Sequence, residues 1–422
     1  MYLYHTLPNG LRIVFRRTDS PVAYSGVYIN VGSRHEQGPE EGVAHFIEHS
    51  IFKGTTHRRA YHILNRIDGV GGELNAFTTK EETCIYASSL VEHLPRCIEL
   101  FSDVLFNSQF PLHEIENEKD VVIEEINSYR DQPADLIYDE FEEYFFEGHP
   151  LAHNILGTKK NVKAFTPEFL RDFLVRNYTP DRMVLTVVAN IDFEKLIRLA
   201  TRHFCDKGSL HDNSKLPQQS SDHLKLKTYS LKLKKTYPPI NIFHKTLNRH
   251  THQTHMLLGC LAPDLFDERK VAFSLLNNLI GGPAMNSRLN VAVREKYGFC
   301  YTIESQYVPF TDTGLFYIYA GVDHGAADRA RDLIFRELRR LATEPLTPNQ
   351  LRAAQRQYIG QMAINNDSSL NEMQSIGKAY LNYDRVDTID EMARDILALT
   401  PGDLLAAASR LTPDNFSQLI YK

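Results

Sequence analysis

Hydrophobic residues in the first half of the chain alternate with polar ones in some segments and recur at helical spacing in others. The alternating or continuously apolar segments predict strands over residues 11–16, 22–31, 73–78, 83–89 and 183–191, with a hairpin turn at Asn9-Gly10. The helical spacing predicts helices over residues 42–52, 59–67, 93–106, 112–129, 167–177 and 193–204, with Thr166 as an N-cap. The pattern therefore indicates a mixed fold of helices and strands.

The second half of the chain repeats this order of elements. Strands are predicted over residues 255–261, 300–308 and 314–322, and helices over 271–280 and 326–341. The order strand, helix, strand, strand, helix matches that of residues 27–106, which indicates a duplicated unit of about 200 residues. We predict an α+β fold of two duplicated, α/β-sandwich-like domains, each a mostly antiparallel sheet packed against helices. Their predicted bounds are 1–212 and 236–422, joined by a polar linker over 213–235.

Composition and charge exclude several classes of protein. The 422 residues are 42% hydrophobic and 24% charged, as in ordinary soluble globular proteins. A formal net charge of −6 gives no electrostatic basis for binding a nucleic acid or an anionic membrane. Five cysteines without metal-type spacing argue against a disulfide framework or a thiolate zinc cluster. Neither a signal peptide nor a membrane-spanning segment is evident, so we expect a cytoplasmic protein.

The sharpest chemical signal is the segment His45-Phe46-Ile47-Glu48-His49, inside the helix predicted over 42–52. At about 100° per residue, His45, Glu48 and His49 share one helical face, so two imidazoles can hold one cation with a carboxylate between them. Zinc suits such a pair, because imidazole is a preferred zinc ligand and a catalytic site needs three protein ligands and one open position. The alternative is a surface helix that carries these residues by coincidence.

A third ligand is expected from the acidic helix over residues 112–129, and helical phase distinguishes its glutamates. Glu124 falls on a polar stripe and is expected to be exposed. A second stripe has the spacing i, i+4, i+7, i+11 and must face the interior. This interior seam consists of Glu118, Val122, Glu125 and Tyr129. Two inward carboxylates are costly unless they meet a cation or hydrogen-bond donors, which favours Glu125 as the metal ligand and Glu118 as its support. The alternative is that both belong to ordinary ion pairs.

These residues resemble the pitrilysin/insulinase family of zinc peptidases, the inverzincins. Glu125 follows the His45-x-x-Glu48-His49 motif at a distance of 76 residues from His49. Lys53-Gly54-Thr55, residues 72–78 and, in the second half, residues 294–301 are also similar to the family's pattern. The resemblance runs nearly end to end. It is to the short two-domain type, similar to mitochondrial processing peptidase subunits and bacterial dimeric homologues.

The resemblance implies a set of site residues. His45, His49 and Glu125 would bind one Zn²⁺ per chain, and Glu48 would be the general base that takes a proton from the water activated by the metal. An extended peptide would lie along an edge strand made of Glu73, Leu74, Asn75, Ala76, Phe77 and Thr78. In the second half, Arg294 would hold the substrate backbone and Tyr301 would hydrogen-bond the developing oxyanion.

The resemblance also implies how the chain assembles. Long members of the family enclose a chamber with four such units in one chain, whereas this chain has two. We therefore expect a homodimer in which Arg294 and Tyr301 of one chain complete the zinc site of the other. The expected function is a zinc-dependent endopeptidase or oligopeptidase that hydrolyses unfolded or short peptides inside a closed dimeric chamber. The alternatives are a specific leader or processing peptidase, and a catalytically silent scaffold or partner subunit of the same fold.

Overall fold

A computed structural model describes residues 1–206, 240 and 242–422. These residues form two compact units, and neither unit is continuous in sequence. The first comprises Met1–Asn127, residues 153–206 and Ile364–Thr388; the second comprises Ser128–Ala152, the described part of 221–363 and Ile389–Lys422. The predicted linker, 213–235, lies outside the described residues, and a division of the chain at that point stays a prediction.

Each unit is built on one sheet. The first sheet contains β1 (Tyr2–Thr6), β2 (Arg12–Arg17), β3 (Val22–Ile29), β4 (Glu73–Thr78), β5 (Thr83–Leu90) and β6 (Met183–Ala189), in the spatial order β1-β2-β6-β3-β5-β4. The second contains β7 (His244–Leu247), β8 (Thr254–Ala262), β9 (Cys300–Pro309), β10 (Gly314–Val322) and β11 (Ser417–Tyr421), in the order β7-β11-β8-β10-β9. All neighbours are antiparallel except the pairs β2/β6 and β7/β11. The predicted α+β class with mostly antiparallel sheets is confirmed.

The helices surround these sheets. In chain order they are α1 (Val43–Ser50), α2 (Ala60–Asp68), α3 (Leu94–Asn107), α4 (Leu112–Arg130), α5 (Pro133–Phe145), α6 (Lys159–Ala164), α7 (Pro167–Asn177), α8 (Phe193–Phe204), α9 (Lys270–Gly281), α10 (Ala327–Thr343), α11 (Pro348–Asn366), α12 (Ser369–Tyr383), α13 (Ile389–Ala398) and α14 (Pro401–Ala408). A short π-helix covers Asn290–Glu295. Within the described residues, no helix is both long enough and apolar enough to cross a membrane.

The first sheet is covered on one face by helices of its own half of the chain. Phe46 of α1, Phe101 of α3 and Phe173 of α7 are fully buried there. The other face is covered by α12, which comes from the second half of the chain. Thr186 of β6 donates a hydrogen bond of 3.0 Å from Oγ1 to the carbonyl oxygen of Met373 in α12. Burial of apolar side chains on both faces explains why β6 is a continuous apolar run.

The second sheet is arranged in the same way. One face packs on α9 and α10, with Leu276 and Phe316 in the core between them. The other face packs on α5, which comes from the first half of the chain and brings Phe141 against β8. A β-carbon at Gly259 of β8 would lie 2.6 Å from the Phe141 ring, so the strand needs glycine where the helix crosses it.

The predicted elements agree closely with the observed ones. The helices over 167–177 and 193–204 and the strands over 73–78 and 314–322 have the predicted bounds. Thr166 caps α7 as predicted, because its side chain accepts a hydrogen bond of 3.2 Å from the backbone N–H of Phe169. The sequence patterns did not predict β1, β7, β11, α5, α6, the π-helix or the helices α11 to α14. Those elements include the two helices, α5 and α12, that each half contributes to the other half's unit.

Candidate metal centre

The motif His45-x-x-Glu48-His49 lies on α1, a helix held at its start by a buried glutamate. Glu36 is 3% exposed, and its two carboxylate oxygens accept hydrogen bonds of 2.8 Å from the backbone N–H groups of Gly42 and Ala44. These donors have no partner within the helix, and the positive end of the helix dipole favours a carboxylate there. Gly42 has φ of 91°, which glycine adopts without strain. Glu36 therefore fixes where α1, the helix that carries the motif, begins.

The side chains of His45 and His49, from the motif, and of Glu125, from α4, converge as predicted. The Nε2 atom of His45 lies 3.7 Å from Oε2 of Glu125, and the Nε2 atom of His49 lies 3.5 Å from the same oxygen. One ligand atom of each of the three residues falls within 4.8 Å of the others. Within residues 1–206, 240 and 242–422, this is the one group of three or more histidine, cysteine, aspartate or glutamate side chains with such geometry.

The helical phase of α4 explains which glutamate reaches the histidines. Glu118 and Val122 are buried, Glu125 is partly buried at the site, and Glu124 points to solvent, as the periodicity predicts. The prediction was wrong for Tyr129, which is 40% exposed. Burial along α4 ends with Ile126, and no residue of its last turn, 127–130, belongs to the core of the first unit.

The two imidazoles have different surroundings. Burial, together with the neighbouring His49, lowers the pKa of His45 to about 3, so His45 is neutral and has a lone pair to offer. Burial also lowers the pKa of His49, but the hydrogen bond to Glu118 and the charges of Glu125, Glu118 and Glu48 outweigh it and raise the pKa overall. His49 Nδ1 lies 2.9 Å from Glu118 Oε1, so Nδ1 carries the proton and Nε2 faces Glu125.

Glu118 supports the site through His49 rather than through Glu125. Its other carboxylate oxygen, Oε2, lies 2.6 Å from Nζ of Lys53. Burial alone would raise the pKa of Glu118, but the hydrogen bonds from His49 and Lys53 hold it below the usual value. Glu118 is therefore a buried anion with a donor on each oxygen.

Glu48 lies beside the group without belonging to it. Its Oε2 atom is buried and has no hydrogen-bond partner among the described residues. Burial raises the pKa of the carboxyl above its usual value, and nearby Glu125 adds to that, whereas a hydrogen bond from Thr78 and the charge of His49 act in the opposite direction. A carboxylate with a raised pKa and a free oxygen is suited to take up a proton.

The predicted edge strand adjoins this carboxylate. β4 (Glu73–Thr78) lies at one edge of the first sheet. It pairs only with β5 within the described sheet, and it packs against α1. Its last residue, Thr78, makes the hydrogen bond to Glu48. Glu73 and Asn75 are exposed, while Leu74, Ala76, Phe77 and Thr78 are partly buried. One side of β4 thus has no paired strand in the described sheet, and such an edge is where another extended chain can add.

The structure places Arg294 and Tyr301 together in the second unit. Arg294 belongs to the π-helix Asn290–Glu295, and its guanidinium carbon lies 5.9 Å from the centroid of the Tyr301 ring. Tyr301, near the start of β9, is 84% exposed. These two residues contact each other, and their roles in a reaction remain proposals.

Sequence reasoning missed two residues that hold the centre. Glu36 precedes α1 by seven residues, in a segment without periodicity, so no local pattern connects it with the helix start. Lys53 lies in the segment Lys53-Gly54-Thr55, which is similar to the family's pattern, but that similarity implied no role for its side chain. Both residues act through contacts made in the folded chain.

The donor set fits zinc. Ideal tetrahedral zinc with bonds of 2.0–2.1 Å to nitrogen and oxygen places its ligand atoms about 3.3 Å apart, close to the two separations from Glu125 Oε2. That oxygen is buried and lacks a hydrogen-bond partner among the described residues. Buried polar atoms without partners are costly, and a cation would satisfy this one.

Comparison with known proteins gives the same family. The model of the insulinase domain of peptidase family M16 matches residues 12–159, and the model of the peptidase M16 inactive domain matches residues 164–358. An uncharacterized zinc protease of Mycobacterium leprae is 34% identical over 96% of this chain and 88% of its own. YmxG of Bacillus subtilis, also named an uncharacterized zinc protease, is 31% identical over 98% of this chain and 96% of its own.

Solved structures share the fold over the whole chain. A protease from Helicobacter pylori has a TM-score of 0.89 at 21% identity and covers 100% of this chain and 99% of its own. The peptidase M16 inactive domain from Pseudomonas fluorescens has a TM-score of 0.85 at 20% identity, with coverages of 100% and 97%. From its matches to the family models and to these relatives, the chain belongs to the insulinase family of peptidases, family M16.

Proposed function

We propose that the protein is a zinc-dependent endopeptidase or oligopeptidase that hydrolyses unfolded or short peptides. The observation that carries the proposal is the convergence of His45, His49 and Glu125 on one point, with the free oxygen of Glu48 beside it. The names of the relatives support a zinc protease. His45, His49 and Glu125 would hold one zinc ion per chain.

The chemistry divides between the ion and the chain. A zinc ion bound by these residues supplies Lewis acidity, which polarises a scissile carbonyl and makes water more acidic. Glu48 takes a proton from the attacking water on its free Oε2 atom and returns it to the nitrogen of the leaving amine. The raised pKa of Glu48 suits both transfers, because the protonated carboxyl must persist until the amide bond breaks.

We assign the substrate strand to β4. An extended peptide paired with its free edge would run past Thr78, whose side chain hydrogen-bonds the proposed general base. Backbone pairing gives affinity with little dependence on side chains, which suits unfolded or short peptides rather than folded proteins.

The proposed assembly is a homodimer that encloses the sites. Tyr301 is 84% exposed and Arg294 packs beside its ring, so this pair is available on the surface of the second unit. In the proposal, Tyr301 stabilises the oxyanion and Arg294 holds the substrate backbone in the zinc site of the partner chain.

Metal analysis combined with peptide cleavage tests the reaction. We expect about one zinc per chain, the stoichiometry of a single three-ligand site, and cleavage of an unstructured peptide library that chelation abolishes. Glu48→Gln should bind zinc but lose cleavage by at least about 100-fold, the low end of general-base contributions. Glu124→Gln, on the exposed side of α4, is the control and should cleave normally. Full cleavage by Glu48→Gln would refute the mechanism, and zinc binding without cleavage of any library peptide would favour a silent subunit.

Subunit exchange tests the assembly. Glu48→Gln protein and Tyr301→Phe protein, each impaired alone, should regain activity when mixed, because one mixed site combines intact Glu48 with intact Tyr301. Fluorescence energy transfer between labelled chains would establish that exchange has occurred. Proven exchange without recovered activity would contradict completion of the site by the partner.

A further inference from the structure

Lys53 occupies a defined position behind the candidate metal centre. It follows α1 closely, and its backbone N–H donates a hydrogen bond of 3.0 Å to the carbonyl oxygen of Ser50. Its Nζ atom lies 2.6 Å from Oε2 of Glu118, whose other oxygen lies 2.9 Å from Nδ1 of His49. The three side chains form a linear series, Lys53 to Glu118 to His49, that ends on a proposed zinc ligand.

The segment that carries Lys53 is anchored on both sides. Before it stands α1, and after it Thr55, His57 and Arg58 all bind the carboxylate of Asp103 in α3. Their distances to the Asp103 oxygens are 2.9 Å from Thr55 Oγ1, 2.6 Å from His57 Nδ1 and 2.6 Å from an Arg58 guanidinium nitrogen. The Asp103 side chain is 3% exposed, so its carboxylate binds this segment from the interior even though the His57 ring is 59% exposed. Lys53 thus reaches Glu118 from a backbone that has little freedom to move.

The contact between Lys53 and Glu118 matters because the Glu118 carboxylate is buried. The Glu118 side chain is 6% exposed, whereas that of Lys53 is 32% exposed. Without the ammonium group, one oxygen of a buried carboxylate would lose its donor, and the carboxylate could rotate away from His49 or attract water. The orientation of the His49 ring would then be held less firmly.

We propose that Lys53 is a positioning residue for the metal centre. Lys53 fixes the Glu118 carboxylate, and Glu118 in turn orients His49 so that its Nε2 atom faces Glu125. This inference rests on the proposed function, because it concerns the affinity of that centre for zinc. Groups that orient a metal-binding histidine typically change metal affinity or activity by about 10–100-fold when they are replaced.

Zinc affinity, measured by competition with a chromogenic chelator, tests the proposal. Lys53→Met should bind zinc about 10–100-fold more weakly than the wild type, and Lys53→Arg should restore most of the loss because it keeps a cationic donor. If Lys53 acts through Glu118, the double variant Lys53→Met/Glu118→Gln should bind no more weakly than Glu118→Gln alone. Lys119→Met is the matched control, since Lys119 pairs with the exposed Glu116 and should leave zinc affinity unchanged.

The outcomes separate this inference from the proposed function. If the wild type binds no zinc, the proposed function fails and this inference fails with it. If the wild type binds zinc and cleaves peptides but Lys53→Met binds zinc equally well, only the role of Lys53 is refuted. Additive losses in the double variant would refute action through Glu118. If Lys53→Met does not fold, Lys53→Gln takes its place in the same cycle, with the same criteria.

Discussion

Replacing Glu36 by alanine removes the acceptor of two backbone N–H groups at the start of α1. Both donors, on Gly42 and Ala44, would stay buried without a partner. A buried donor without an acceptor costs about 1–3 kcal/mol, so the pair costs about 2–6 kcal/mol. Burial raises the pKa of the Glu36 carboxyl well above its usual range, so removing that poorly solvated group offsets part of the loss. We expect a net destabilisation of about 3 kcal/mol.

Thermal unfolding of the metal-free protein, followed by circular dichroism, measures this loss. In a unit of about 200 residues, 1 kcal/mol shifts the midpoint by about 2–4 °C, so Glu36→Ala should melt about 6–12 °C lower. Glu36→Gln keeps one acceptor oxygen and should show about half that shift. Hydrogen exchange should also become faster in α1, because its first turn loses both anchors.

Glu168→Ala is the matched control for Glu36. Glu168 lies in the first turn of α7 and its side chain is 72% exposed, so its removal should change stability by no more than about 0.5 kcal/mol. The reasoning is refuted if Glu36→Ala melts within about 2 °C of this control. A normal melting point would mean that other groups satisfy the start of α1.

Three further predictions concern other parts of the fold. Arg12 is buried and donates to two backbone carbonyls at the end of α12, so Arg12→Met should cost about 1.5–3 kcal/mol and speed hydrogen exchange in α12. Phe46→Ala, in the buried face of α1, should lower the free energy of unfolding by about 3–5 kcal/mol in urea titrations. Burial lowers the pKa of His255, so the folded state resists a proton that the unfolded chain accepts below about pH 6.5. Stability should therefore fall from pH 7.5 to 5.5, by up to about 1.4 kcal/mol per pH unit for this group, and His255→Gln should remove that part.

Each of these predictions has a result that contradicts it. Unchanged exchange in α12 of Arg12→Met would show that apolar packing alone holds the helix. A loss below about 1 kcal/mol for Phe46→Ala would mean that the core around α1 closes over the cavity. An equally steep fall in stability between pH 7.5 and 5.5 in His255→Gln would assign the pH dependence to other groups.

The order of the elements followed from local patterns. Strand and helix periods depend on which side chains face the core, and that requirement repeats every two or 3.6 residues along the chain. The helical period placed His45, Glu48 and His49 on one face of α1, and it distinguished Glu125 from Glu124 on α4. It could do both because each comparison is between residues of a single helix. It was wrong for Tyr129, since the period says nothing about where the covering core ends.

The sequence by itself determined most strands and helices of the first 206 residues, the α+β class and the four residues of the HxxEH-plus-Glu motif. Only the tertiary structure decided that α5 and α12 are exchanged between the units, and that Glu36 and Lys53 hold the motif helix and Glu118. The physical reason is that an amphipathic helix shows in its own sequence which face is buried, but not which sheet buries it. Hydrogen bonds such as those from Gly42 and Ala44 to Glu36 join residues that no period relates, so only the folded chain brings them together.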